Sequence, residues 1–345
     1  MNAGIGRRKP IGFAVLLITA LVAIALAGLV WLQLRTSWGA AEVDREWQAT
    51  RFEAVRDLGS TRRLEITPLV NWHAGPGLST EAGVSYLVRT DRLTILFDVG
   101  WNEHGRSPSP LQLNLARLGV DPRAIDAVFL SHAHRDHVGG SEWEATNTFA
   151  LGSPRMDLTG RMVWAPKPMQ YPGAQVIVST DPRRLAPAIA TTGTIARQLA
   201  IGRVEEQALI VNVEGRGLVA IVGCGHQTVP KLLQRMRSSF PQPLFGIVGD
   251  LHYPVPAGRL SRFGIDLQRR LASRSGPLLP IGMKDVEREL GLLQAQRLGL
   301  LALGGHDTSD EVLALAARRF GGRFRPVTVG RTIVVRAPGH TNHRH

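Results

Sequence analysis

Cysteine is almost absent. Cys224 is the single one in 345 residues, so no intramolecular disulfide can form and no metal site can be built from cysteine alone. Lysine is scarce too, confined to positions 9, 167, 231 and 284, and arginine carries almost all of the positive charge. Aromatic residues make up 6% of the chain. No clustered basic run or basic–aromatic platform is visible, which counts against nucleic acid as a partner. There is only one long apolar run, which excludes a polytopic membrane protein, and no internal repeat or low-complexity tract stands out. What is abundant is ordinary: 44% hydrophobic residues and 20% charged ones exclude a wholly disordered chain. The formal charge of +13, from 41 Lys+Arg against 28 Asp+Glu, reads either as arginine-rich composition or as attraction to an anionic partner. Length alone allows about two domains or one large one.

The apolar run, Ile11 to Leu32, contains no charge and is long enough to cross a hydrocarbon core of about 30 Å. Arg7, Arg8 and Lys9 precede it and Trp31 lies near its far end. The positive-inside rule then keeps residues 1–10 cytoplasmic and sends everything after Arg35 to the extracytoplasmic, periplasmic side. Ala25-Leu26-Ala27 resembles a cleavage site, so a secreted product is the alternative. The apolar run continues past it, which favours an uncleaved single-pass anchor over residues 11–34. Val43, Trp47, Phe52 and Val55 recur at helical spacing, predicting a stalk helix within 35–61. The globular body is expected over 62–337, and residues 338–345, with His340, His343 and His345, read as a solvated tail.

Within the body, short β-rich runs alternate with helical segments. Strands are expected at Ser85–Val88, Leu93–Phe97, Ala127–Leu130, Gln175–Val178, Ala208–Val213, Leu218–Val222, Leu244–Val248, Leu300–Leu303 and Val327–Val335. Helices are expected at Leu111–Leu118, Val229–Ser238, Asp285–Leu298 and Ser309–Phe320. Thr308 and Glu311 have the spacing of a capping box for the last of these. The alternation implies one mixed α/β domain with its important residues at strand ends.

The strongest chemical signal is Ser131-His132-Ala133-His134-Arg135-Asp136-His137-Val138-Gly139-Gly140. His132 and His134 are two apart, so an extended backbone leaving the strand points both imidazoles the same way. Asp136 and His137 follow where the chain turns, and the glycines give the turn its freedom. Three histidines and a carboxylate in six residues suit zinc, iron or manganese.

This pattern resembles the leading H-x-H-x-D-H motif of the metallo-β-lactamase fold superfamily, and the resemblance runs from about Leu64 to Val335. It implies an αββα four-layer sandwich with a two-metal site along one edge. On that resemblance, His132, His134 and His226 of Gly223-Cys224-Gly225-His226 would hold one divalent metal. Asp136, His137 and His306 of Leu303-Gly304-Gly305-His306 would hold the second, with Asp250 bridging. His252 could replace or supplement Asp250. Asp98, in Phe97-Asp98-Val99-Gly100, would support the metal loop rather than bind. Asp136 and Asp250 are the residues expected to serve catalysis directly.

A narrower resemblance, to the dihydropterin-ribofuranosyl-aminobenzene phosphate synthase-like branch, rests on Glu81-Ala82-Gly83-Val84-Ser85, Thr192-Gly193-Thr194-Ile195-Ala196-Arg197, Glu206-Gln207-Ala208-Leu209 and Gly223-Cys224-Gly225-His226. The chain departs from that branch at Ala82, Thr194 and Asp250, segments expected to face substrate, so the pterin substrate is not carried over. Arg197 can grip a phosphate or carboxylate, or form a surface ion pair. Cys224 is either a neighbour of the metals or a small buried residue. His73 and His104 have no partners in the linear pattern and read as structural. The function implied is a membrane-anchored, exported hydrolase acting on an ester, phosphoester, thioester or lactone of a small-molecule substrate. Its nucleophile would be a water activated between two cations, zinc first and iron or manganese as alternatives. The other readings are a phosphodiesterase or nuclease, and a non-catalytic metal-stabilised binding module of the envelope.

Overall fold

A computed structural model describes residues 11–273 and 276–339. The basic residues Arg7, Arg8 and Lys9 and the histidines 340, 343 and 345 lie outside the described residues.

The chain opens with α1 (Ile11–Ala49), a continuous helix long and apolar enough over its first half to cross a membrane. Eight strands follow in the first part of the body: β1 (Arg63–Val70), β2 (Ser85–Arg89), β3 (Thr94–Phe97), β4 (Ala127–Phe129), β5 (Met162–Ala165), β6 (Gln175–Val178), β7 (Arg183–Ala186) and β8 (Ile189–Thr191). Helices α2 (Pro110–Arg117), α3 (Arg135–Val138) and α4 (Ser141–Ala145) lie among them. Next come β9 (Ile195–Leu199), β10 (Gly202–Glu206), β11 (Leu209–Val213), β12 (Gly217–Ile221), α5 (Val229–Ser239) and β13 (Leu244–Gly249). A short hairpin, β14 (Ser261–Arg262) and β15 (Ile265–Asp266), leads to α6 (Leu267–Leu271) and α7 (Met283–Ala295). The chain closes with β16 (Leu300–Leu303), α8 (Asp310–Phe320), β17 (Phe324–Pro326) and β18 (Ile333–Arg336).

Two seven-stranded sheets face each other, ordered β18-β1-β2-β3-β4-β5-β6 and β17-β16-β13-β12-β11-β8-β7. The two-residue alternation of strand side chains builds the layers. In β12, Val219 and Ile221 face the core between the sheets, while Leu218 and Ala220 face a second core under α5, α7 and α8. In β4, Ala127 and Phe129 point between the sheets, while Val128 and Leu130 point to a third core beneath α2. Both faces of each sheet are covered, so these strands read as continuous apolar runs rather than alternating ones. The result is the αββα sandwich expected.

Parallel pairing places the site. β3 pairs parallel with β4, and β13 pairs parallel with both β12 and β16, so their carboxyl ends gather at one edge of the sandwich. Asp98, residues 131–137, residues 223–226, residues 250–252 and residues 304–308 each leave from one of those ends.

Three local expectations are corrected. The stalk is not helical to residue 61: α1 stops at Ala49, and residues 50–60 have no regular structure, with the Val55 amide donating to the Ser239 carbonyl at 2.8 Å. Val55 and Leu58 enter the core beneath α5, and burying each of them fully is worth about 1.5–3 kcal/mol, which helical spacing on an exposed stalk does not supply. The expected strand 327–335 is a strand only from Ile333: β17 ends at Pro326 in one sheet, β18 begins at Ile333 in the other, and the chain between them crosses through Gly330 (φ +84). The cap of α8 is Ser309, whose hydroxyl accepts from the Val312 amide, not Thr308, whose hydroxyl is engaged elsewhere.

The second half of α1 docks on the body. Lys231 pairs with Asp44 at 2.7 Å, Arg203 with Glu46 at 2.8 Å, and the Trp47 indole donates to Gln234 at 2.9 Å.

Candidate metal centre

The geometry begins with Asp98, held at positive φ (51°) just beyond β3, a conformation uncommon outside glycine. Its buried carboxylate accepts from the Ser131 amide and hydroxyl, each at 2.7 Å, and meets His137 Nδ1 at 2.6 Å. The Ser131 hydroxyl in turn lies 2.9 Å from His132 Nδ1. One carboxylate therefore orients two imidazoles and leaves the Nε2 atom of each for another partner.

A second carboxylate braces the opposite loop. Glu206, fully buried, accepts from the amides of Gly225 (3.0 Å) and His226 (2.7 Å). Its neighbour Gln207 donates to the Leu130 carbonyl at 2.8 Å, and its amide reaches the Ser131 carbonyl at 2.9 Å. The Glu-Gln pair thus ties the loop of His226 to the loop of His132. Gly225 is at φ +83, and a Cβ there would meet the Leu251 Cα at 2.5 Å, so only glycine lets the loops of His226 and Asp250 lie this close.

Three groups of possible metal donors emerge, each with its donor atoms within 4.8 Å of one another: His132, His134 and His226; Asp136, His137, Cys224 and His306; and Cys224, His226, His252 and Asp307. In the first, the rings of His132, His134 and His226 stand 4.7–5.1 Å apart. In the second, Cys224 Sγ lies 3.0 Å from His137 Nε2, and His306 Nε2 lies 3.0 Å from Asp136. In the third, Asp307 meets His252 Nδ1 at 3.0 Å. His252 is at φ +54, a second unusual backbone position at this edge.

Asp250 sits behind these groups and belongs to none of them among the described residues. Its carboxylate takes the Thr308 hydroxyl and the amides of Leu251 and Asp307, both at 3.3 Å. Asp307, which the sequence reading passed over, is the carboxylate the fold turns toward His306, His252 and Cys224. Its signal was faint: it adjoins a candidate histidine. Glu206 was visible only as part of a motif, with no role attached. Arg197, on β9, lines a cleft together with His226 and His252. His73 pairs with Asp310 at 3.0 Å, and His104 is exposed.

The electrostatics divide the donors. Burial, reinforced by the neighbouring imidazoles, holds His132 and His226 well below the ordinary histidine range, and burial also lowers His134. These three are neutral near pH 7 and ready to donate lone pairs. Burial would lower His306 too, but the carboxylates of Asp307, Asp136 and Asp250 outweigh it and raise His306 to about 10. Burial opposes ionisation of Asp136, yet His137 and His306 hold it low. Asp250 is raised to about 7 by burial and by Asp307. Burial also pushes the Cys224 thiol well up.

The fit to divalent metal rests on atoms left without partners. His132 Nε2, His226 Nδ1, His252 Nε2 and His306 Nδ1 are buried and make no hydrogen bond, while His306 Nε2 faces the Asp136 carboxylate at 3.0 Å. Such groups are costly to leave bare, and imidazole nitrogens beside carboxylates and a thiol are ligands for zinc and other borderline divalent cations. Fold and donors together define a metal-binding protein whose site is carried on the edge of a two-sheet sandwich.

Comparison with known proteins gives that class its family. The model of the metallo-beta-lactamase superfamily matches residues 79–279, and the chain belongs to this superfamily. It is similar to the 7,8-dihydropterin-6-methyl-4-(beta-D-ribofuranosyl)-aminobenzene-5'-phosphate synthase of Methanocaldococcus jannaschii, with 23% identity over 241 residues, 57% of this chain and 80% of that protein. Among solved structures it resembles a metal-dependent hydrolase of the beta-lactamase superfamily, at TM-score 0.53 and 19% identity, covering 79% of this chain and 99% of that one. At that identity the likeness speaks for the fold.

Proposed function

We propose that the chain is a membrane-anchored, exported metal-dependent hydrolase of a small-molecule ester, phosphoester or lactone, loaded with two divalent cations, zinc in the first instance. The single observation that carries this is the set of buried, unpartnered imidazole nitrogens facing one another at the sandwich edge. His132, His134 and His226 would hold one cation, and Asp136, His137 and His306 the other. Asp307, rather than Asp250, would be the shared carboxylate: it groups with His226, His252 and Cys224 and lies 3.5 Å from His306 Nε2. Bound cations would supply Lewis acidity and lower the pKa of water at the site.

The chain's own residues do the rest. Asp98 holds His137 and, through Ser131, His132 in the orientation and tautomer that present Nε2. Glu206 fixes the backbone of His226. His306 and Asp136, 3.0 Å apart, share a proton in the metal-free site that would leave as a cation takes their place as partner. Arg197 stands on the cleft wall, where an anionic substituent of a substrate would be oriented. The apolar half of α1 supports the anchor, and by the positive-inside rule Arg7, Arg8 and Lys9 before it favour a body outside the cytoplasm.

The test is metal analysis of the full-length protein purified in detergent, paired with a panel of ester, phosphodiester, phosphomonoester and lactone substrates. About two metal equivalents and turnover of one of these classes are expected. Fewer than one equivalent, unchanged by His132→Ala, overturns the metal reading. Turnover only with a second substrate as acceptor replaces hydrolysis by group transfer, as the similar synthase's name suggests for that protein.

A further inference from the structure

We infer that the face formed by residues 276–281 rests on the lipid bilayer beside the anchor, so that the metal cleft opens at the membrane surface. This rests on the reading of α1 as a membrane anchor and is independent of the reaction catalysed.

Gln33 is the first polar residue after the uncharged run. Its side-chain carbonyl accepts the backbone amide of Leu278 at 3.0 Å. Gly276 packs on the same side chain, where a Cβ would meet the Gln33 Oε1 at 2.7 Å. The segment is therefore pinned to α1 at the level where the helix leaves the apolar layer. At that level Leu278 and Leu279 are 46% and 57% exposed, and Trp31 and Trp38 on the helix are 58% and 68% exposed. Seven residues of helix separate the two tryptophans, about 10 Å, a span that fits an interfacial belt. Four large apolar side chains left open around this end of the apolar run suit a lipid boundary rather than water.

Charge points the same way. Among the described residues of 256–281, Arg262, Arg269 and Arg270 stand against Asp266, while Arg259 is paired with Asp310 at 2.7 Å. Arg269 and Arg270 bind the carbonyls of Ile281 (2.8 Å) and Pro277 (3.1 Å), which border the two leucines. Exposed leucines flanked by arginines fit the acyl–headgroup boundary of an anionic membrane. This cluster also gives part of the +13 charge a place to act.

The same stretch reaches the metal groups. Ala272, Ser273 and Ile281 wall the cleft that holds His226 and His252. An adjoining trough shares Arg197 and Thr228 with that cleft and runs to Ala40 and Val43 on α1. A bilayer against residues 276–281 therefore borders the mouth of the site.

The test uses the full-length protein in phosphatidylcholine–phosphatidylglycerol vesicles, with an environment-sensitive thiol label on single-cysteine substitutions and brominated acyl chains as quencher. Cys224 is buried and stays unlabelled. Labels on Val30→Cys and Leu278→Cys are expected to lose fluorescence to the brominated lipid. A label on Glu53→Cys, beyond the far end of α1 and about 24 Å of helix from Gln33, is not. If Val30 is quenched while Leu278 behaves like Glu53, the docking is overturned and the anchor stands. If Val30 is not quenched, the anchor reading falls and the docking with it. Omitting phosphatidylglycerol is expected to weaken quenching at Leu278, and equal quenching in neutral vesicles overturns the contribution of the arginines. No outcome depends on turnover.

Discussion

The three-histidine group and the group around His306 occupy one edge of one sandwich, yet they arrange charge in opposite ways. His132, His134 and His226 are kept neutral by burial and by each other, so a cation meets donors already free of protons. Asp136, His137 and His306 bring carboxylate and raised imidazoles together, so a proton is stored there and must leave when a cation arrives. Neighbouring positions in one histidine-rich motif thus need not be chemically equivalent. His134 and His137 are three residues apart, and burial lowers one while Asp98 and Asp136 raise the other.

The largest expected effect breaks the first group outright. His132→Ala should remove about one metal equivalent and reduce turnover by more than the 10–100-fold that residues behind the ligands typically cost; metal analysis and initial rates check it, and retention of both equivalents refutes the three-histidine site. The next separates the groups by their shared support. Asp98→Asn should weaken metal binding at both groups by about 10–100-fold, whereas Ser131→Ala, which touches His132 directly, should weaken the first more than the second. Competition with a chromophoric chelator measures both, and equal effects of Ser131→Ala on the two groups would erase the distinction.

A smaller effect concerns protons. Uptake of metal by the second group near pH 7 should release about one proton from His306, and uptake by the first about none, read by calorimetry in buffers of different ionisation enthalpy. The metal-free protein should follow the same sign. His306 in the folded state holds its proton up to about 10, above the ordinary histidine value of about 6.5. Between those values the native chain binds more protons than the unfolded one, so this contribution is complete below about pH 6.5 and fades as pH rises toward 10. A urea midpoint that rises over that window in His306-containing protein but not in His306→Ala would reverse the assignment. Least affected should be Asp250→Asn: it keeps the shape that receives Thr308 and should leave metal content unchanged, while Asp307→Asn lowers it. The opposite order restores Asp250 as the shared carboxylate.

Much of the fold could be read from the chain because it was written locally. Gln175–Val178 and Leu300–Leu303 are strands at the expected bounds, since a short apolar run between breakers has few other uses. The leading motif was legible for the same reason: its four donors lie within one turn of chain. Asp250 and Asp307 could not be ranked that way. Each is an acid near the end of an apolar strand, and only the parallel pairing of β13 with β16 brings the Thr308 hydroxyl to Asp250 and frees Asp307 for the histidines. The stalk misled because its apolar spacing fits a helix, while the groups that bury Val55 and Leu58 come from α5 and β12, far along the chain.

By itself the sequence determined the long apolar N-terminal run, the two-sheet class and the histidine-rich donors, all properties of contiguous residues and their period. The tertiary structure alone decided which carboxylate supports and which one faces the metal groups, that Glu206 and Gln207 brace two loops, and that an arginine-bordered pair of leucines lies beside Gln33 at the end of the apolar run of α1. Those outcomes depend on which strand ends and loops meet, and burial changes the charge of each group only once they have met.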